Sequence, residues 1–240
     1  MIKTEAIILS KIKYNDFSFI TKLYSLELGM VSVLIRFSNS KRAKIKPNVF
    51  FPLNIVDTEF VMKNTRNIQS INYCNCVFPI NNICENVFKF TIAQFISEIL
   101  IKSIKEEISN PNLYNFIKET VIYLEKSDKP SNLHLAFLKD FAKALGFGIT
   151  NNFCRDIPYF NLKEGVFLPI YTTANESLEI NQSEIFSALL NINFENFENL
   201  QINNDFKKLF LNTMIRYFKF HFNDNFEIKS LEVLETVFKT

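Results

Sequence analysis

Tryptophan is absent from the 240 residues, and glycine (4), cysteine (4) and histidine (2) are scarce. Each shortage narrows the function. Gly29, Gly146, Gly148 and Gly165 never fall into GxGxxG or into GxxxxGK followed by Ser or Thr, which speaks against a glycine-rich phosphate cradle and against ATP hydrolysis. So few cysteines do not build a disulfide framework and read as the reduced thiols of a cytoplasmic protein. Cys74-x-Cys76 with Cys84 lacks a second pair at zinc-knuckle spacing, and strand alternation makes Cys74 and Cys76 small buried hydrophobes on one face. His134 falls in the first turn of a predicted helix, and His221 in a last turn, where the helix dipole favours a cation. Neither has a Ser, Cys or acid in a nucleophile pattern, so no catalytic residue, metal or cofactor is expected. No apolar run approaches the ~18 residues of a membrane span. The start, Met1-Ile2-Lys3-Thr4-Glu5, carries an acid and no signal-peptide core, so a cytoplasmic chain is expected.

What is present is apolar and aromatic. Hydrophobic residues make up 48% against 22% charged, and 27 Phe with 8 Tyr exclude a disordered chain. Two patterns divide the sequence. Over 1–80, short β-branched and aromatic runs predict strands at 4–12, 17–24, 30–37, 53–62 and 68–77. In the fourth, Asp57 and Glu59 alternate with Val56, Thr58 and Phe60. Tyr14-Asn15-Asp16 and Leu28-Gly29 mark turns, and Gly29 can supply a positive φ. Five short antiparallel strands fit an OB-fold barrel; an open sheet accounts for them too. After Pro79 the period becomes 3.6. Helices are predicted at 86–107, 111–126, 132–145, 183–190, 205–222 and 228–238, with an irregular, hairpin-containing segment at 148–173 around Gly165. The expected architecture is therefore α+β: an N-terminal five-stranded OB-fold barrel (1–80) for nucleic acid, then an α-helical domain (81–240).

The net charge of +2 conceals an asymmetry. Residues 1–80 hold eleven Lys and Arg against five Asp and Glu, a net +6, whereas 81–240 hold sixteen against twenty, a net −4. Between Leu28 and Val56 there is no acid, yet Arg36, Lys41, Arg42, Lys44 and Lys46 crowd into eleven residues. A basic loop following a strand is an electrostatic footprint for phosphates, and these five are the candidate DNA contacts. Phe37, Phe50 and Phe51 flank the loop as candidates for base stacking or for the core. On the helix at 205–222, Phe206, Leu209, Phe210, Thr213, Tyr217 and Phe220 are expected to face inward. Lys207, Lys208, Asn212, Arg216 and Lys219 form a basic stripe that suits an acidic peptide or a phosphate backbone, although an ordinary solvated face with cations near the helix C-terminus accounts for it more simply. Asp57 and Glu59, on one face of a strand, leave open a metal-dependent nuclease. A structural subunit without DNA affinity is a further alternative.

Several segments, in order, resemble the RecO family of bacterial recombination mediators. They are Thr4-Glu5-Ala6-Ile7-Ile8-Leu9, Tyr14 with Asp16, Leu23-Tyr24-Ser25, Leu28-Gly29, the basic run after Arg36, and Phe51-Pro52-Leu53. In the second half they are Asn132-Leu133-His134-Leu135, Leu145-Gly146-Phe147, Tyr159-Phe160-Asn161-Leu162 with Gly165, and Ile228-Lys229-Ser230-Leu231-Glu232-Val233-Leu234. The resemblance implies an OB-fold followed by helices, and binding of single- and double-stranded DNA with annealing of complementary strands. It further implies pairing with RecR, engagement of the acidic C-terminal tail of single-strand-binding protein, assistance in loading RecA, and no catalytic turnover. Lys208, Arg216 and Lys219 are the candidates for the tail. Many members of the family carry two CxxC pairs after the Leu-Gly-Phe turn. Here that region holds only Cys154, so a structural zinc is not expected and the segment 148–170 must be held by packing.

Overall fold

The computed structural model describes residues 1–36, 45, 47–63, 65–105, 108–222 and 226–238. They divide into two compact units, Met1–Lys126 and Ser127–Thr240.

In the first unit, β1 (Ile2–Asn15), β2 (Ser18–Ser25), β3 (Gly29–Arg36), β4 (Ile55–Val61) and β5 (Ser70–Phe78) form one antiparallel sheet in the order β3-β2-β1-β4-β5. Alternation selects the face: Phe19, Leu23, Val33, Val56 and Phe60 turn inward, while Asp57 is exposed and Glu59 half-exposed on the other side. The two carboxylates pair across the ladder with Glu5 and Lys3. The strand order is that of an OB-fold, but the barrel is not closed by a continuous ladder. Among the described residues, one parallel bridge, Val33 to Gln69, joins its ends. There Gln69 N donates to Ser32 O (2.8 Å) and Leu34 N to Gln69 O (3.0 Å). Gly29 adopts φ +68°, and a Cβ there would lie 2.5 Å from the Ile108 carbonyl oxygen, so only glycine fits this turn.

Three helices, α1 (Asn81–Glu85), α2 (Val87–Ser103) and α3 (Pro111–Lys126), belong to the same unit. Two carboxylates tie them in. Glu5 on β1 accepts from Tyr114 Oη (2.9 Å) and Lys118 Nζ (2.7 Å) of α3. Burial and the Glu5 carboxylate push the Tyr114 hydroxyl far above its ordinary pKa, so it remains a donor. Glu125 at the end of α3 accepts from the backbone N–H groups of Asn82 and Ile83 (2.9 Å each), supplying α1 with the cap its own residues lack. Cys74 is buried, and burial pushes its thiol up to about 12; Cys76, half-buried, donates its Sγ–H to Asn54 Oδ1 at 3.3 Å.

The second unit contains α4 (Leu133–Ala144), β6 (Tyr159–Asn161), β7 (Val166–Leu168), α5 (Ile180–Leu189), α6 (Asn204–Phe222) and α7 (Ser230–Val237). Between α4 and α5 the chain is irregular apart from the β6–β7 hairpin, and it is held by rings and amides. Phe160 meets Phe186 (4.6 Å), Phe167 (5.2 Å) and Tyr217 (6.2 Å), and Phe186 meets Phe210 (5.2 Å). The Asn152 amide imitates a strand neighbour, accepting from Phe167 N (2.8 Å) and donating to Phe167 O (3.1 Å). Gly165 turns the hairpin at φ +68°, where a Cβ would strike the Tyr217 hydroxyl at 2.5 Å.

Two expectations are corrected in this unit. The buried face of α6 is centred on Phe210, Met214, Tyr217 and Phe218, about one residue round from the predicted stripe, so Phe206 and Phe220 are exposed. His221 does not gain a favoured charge from its helix terminus. It stacks on Phe147 (4.5 Å) and meets the Tyr217 ring edge-on (4.4 Å), and burial lowers its pKa.

His134 is 4% exposed and packs against the Phe238 ring at 5.6 Å. Burial, with the Lys207 charge adding, pushes its pKa down from 6.5 to about 3. The folded unit thus holds a neutral ring that the unfolded chain protonates below pH 6.5. This contribution to stability is complete above pH 6.5. It is lost as pH falls toward 3, at about 1.4 kcal/mol per pH unit within the window. Urea unfolding from pH 3.5 to 6.5 should show a flatter acid limb for His134→Leu than for the unmodified chain; parallel limbs would contradict the assignment.

Candidate nucleic-acid interface

The basic end of the five-stranded sheet is built by three segments. The β1–β2 hairpin brings Tyr14, the end of β3 brings Arg36, and the β4–β5 loop brings Lys63 and Arg66. Together with Ile20, Leu34, Ile68 and Gln69 they line a cavity of about 340 Å³. Its floor is apolar and its rim cationic, a combination suited to a base and its phosphate. On the other side of the same loop, Lys63 and Arg66 also line a second hollow of about 330 Å³ with Met30, Ser32, Met62 and Asn67. Lys63 and Arg66 are thus shared by the two depressions.

Gln69 holds this loop in place. Lys63 N donates to its side-chain oxygen (2.8 Å), and its Nε2 donates to the carbonyls of Lys63 (3.2 Å) and Arg66. Its backbone makes the bridge to β3 already described, so one buried residue fastens the loop cations to the strand that carries Arg36. On β1, two strands away from β3, Lys11 Nζ donates to Pro47 O (3.2 Å) and lies 4.5 Å from the Phe19 ring centre, where partial burial lowers its pKa.

Of the residues predicted to contact DNA, Arg36 is exposed on the cavity rim. Lys41, Arg42, Lys44 and Lys46 lie outside the described residues, as does Phe37. Phe50 is core, edge-on to Phe19 at 5.0 Å, whereas Phe51 is 43% exposed. Sequence reasoning missed Tyr14, Lys63, Arg66 and Gln69. A signal was available, because an OB-fold binds through the loops after its first and fourth strands.

Both halves of the sequence match family models of one protein: "Recombination protein O N terminal" over residues 1–80 and "Recombination protein O C terminal" over 84–232. The chain belongs to the RecO family. Three relatives, each named DNA repair protein RecO, cover almost the whole length. The protein of Flavobacterium psychrophilum is 34% identical over 240 residues, with 99% of each chain covered. That of Flavobacterium johnsoniae is 32% identical with 99% of each covered, and that of Azobacteroides pseudotrichonymphae 31% identical with 98% of each. RecO membership gives the chain a role in DNA repair and recombination. No described helix is long and apolar enough to cross a membrane.

For a RecO chain, the second unit is notable for its lone cysteine between α4 and α5. Cys154 is exposed, and among the described residues no three His, Cys, Asp or Glu side chains converge as metal ligands. A single cysteine does not supply the ligand set of a structural zinc, and the segment packs on the aromatic cluster around Phe160. On α6, Lys208 is exposed and borders a groove of about 190 Å³ with His134, Lys207, Leu211 and Phe238. Lys219 is half-buried. Arg216 donates through Nη2 to the carbonyls of Ala174 (2.7 Å) and Asn175 (3.1 Å), which ties it to the 174–175 turn.

Proposed function

We propose that the chain is a cytoplasmic DNA-repair mediator without catalytic turnover, which binds single- and double-stranded DNA and anneals complementary strands. With RecR, it helps load RecA on strands covered by single-strand-binding protein. The observation that carries the reading is the cavity rimmed by Tyr14, Arg36, Lys63 and Arg66 at the end of an OB-type sheet. Phosphate contacts of this kind serve any sequence, and a surface that neutralises both strands removes the repulsion opposing their pairing. Lys41, Arg42, Lys44 and Lys46 extend the same basic run and join it as phosphate contacts. The domain at 1–80 carries the DNA work and that at 81–240 the protein contacts. On α6, Lys208 and Lys219, with Arg216 anchored between them, form the face for the acidic tail of single-strand-binding protein.

Strand annealing of complementary oligonucleotides, with and without single-strand-binding protein and across a range of salt, tests this. Annealing should be accelerated, and the acceleration should fade as salt rises and disappear on replacing Arg36, Lys63 and Arg66 with alanine. Annealing at the uncatalysed rate, with no DNA bound, would make the chain a structural subunit. DNA degraded in the presence of Mg²⁺ would instead favour a nuclease using Asp57 and Glu59.

A further inference from the structure

Beyond Leu9 the character of β1 changes. Ala6 to Leu9 are buried, whereas Lys11 to Phe17 are all exposed as the β1–β2 hairpin runs out past the core. The tip is not wholly polar, as a solvated turn would be. Ile12, Tyr14 and Phe17 are 62%, 64% and 70% exposed, interleaved with Lys11 and Lys13. Nor is it slack. Asn15 Oδ1 accepts from Phe17 N (3.0 Å) and Ser18 Oγ (2.7 Å), and Lys13 pairs with Asp16 at 2.9 Å, so the turn is preformed with Phe17 at its apex. Ser18 pairs directly with Arg36 across the β2–β3 ladder. Phe17 therefore starts within about 7 Å of the Arg36 backbone, one strand spacing across and one residue along. The two side chains thus spring from backbone close enough for a single nucleotide to meet both.

We propose that this hairpin tip is a base-stacking element that distinguishes unpaired from paired DNA: Phe17 stacks on a nucleobase of the strand whose phosphate Arg36 holds. The inference rests on the DNA-binding reading above and adds the basis of its strand preference. Every base offers a π-face, so stacking is indifferent to sequence. In a duplex those faces are covered by neighbouring pairs, while the phosphates remain accessible. The cations thus serve both forms of DNA, and the ring serves the unpaired one.

The absence of tryptophan from the chain makes the test direct. Phe17→Trp places a single indole at a solvent-exposed apex, where it does not disturb the core. Its fluorescence should be quenched by a single-stranded oligonucleotide and unaffected by a long linear duplex bound to the same extent, as judged by anisotropy. Phe17→Ala should weaken single-strand binding by roughly ten-fold, leaving duplex affinity and the salt slope unchanged. Phe17→Leu, apolar but without a π-face, should not restore binding, and Phe17→Tyr should. Bound single strand that leaves the indole unquenched, or undiminished affinity in Phe17→Ala, would overturn the inference and leave the DNA-binding reading intact. No binding by the unmodified chain would overturn both.

Discussion

Phe160→Ala is expected to destabilise the second unit by about 3–5 kcal/mol. The ring is fully buried and is the common neighbour of Phe186, Phe167 and Tyr217. Its removal leaves a void at the point where the β6–β7 hairpin, α5 and α6 meet. Collapse is resisted because the backbone is fastened on both sides: Phe160 N donates to Ser183 Oγ (2.9 Å), and Leu178 N donates to Phe160 O (2.9 Å). Much of the surrounding segment lacks regular secondary structure, so its order depends on this ring cluster together with side-chain amides such as that of Asn152. Urea unfolding followed by circular dichroism measures the loss. Because rings and amides, and no set of metal ligands among the described residues, hold this segment, a chelator should leave the midpoint of the unmodified chain unchanged. A chelator-sensitive midpoint, or a loss below about 1 kcal/mol in the variant, would show that another group holds the segment.

Replacing Arg36, Lys63 and Arg66 together with alanine should weaken DNA binding about 100-fold at low salt, with each charge-assisted contact worth about 1 kcal/mol. All three side chains stand at the rim of one cavity and Arg36 is exposed, so their loss should leave the fold intact. Single strand and duplex should both suffer, since both present phosphates, which separates this variant from Phe17→Ala. Gln69→Ala is the positioning counterpart. It keeps every cation but frees the loop that Gln69 clamps, and an intermediate loss of affinity is expected.

Much of the fold could be read from the residues because local signals and tertiary packing agree. The alternation of Val56, Asp57, Thr58, Glu59 and Phe60 predicts β4, and Asn110-Pro111 predicts the start of α3. α1 had no such signal: it is five residues long and capped by Glu125 from the far end of α3. The inward face of α6 was misjudged for a different reason. In a chain with 27 Phe, an aromatic ring is a poor marker of the core, and Leu211, Met214 and Ile215 pull the helix round. Of the site, Arg36 was legible because charge bunches around it. Lys63 and Arg66 carry no such cluster in sequence; only their place in the loop after the fourth strand of an OB-fold marks them, and Gln69 fastens that loop to β3.

The central claim is that the basic end of the five-stranded sheet grips phosphates. It is tested most directly by the affinity for a single-stranded oligonucleotide as a function of salt, for the unmodified chain and for the Arg36, Lys63 and Arg66 triple alanine variant. A steep linear fall of log K with log salt is expected, with a slope shallower by about 2 in the variant, from ~0.7 per lost contact. Equal slopes for the two proteins would contradict it.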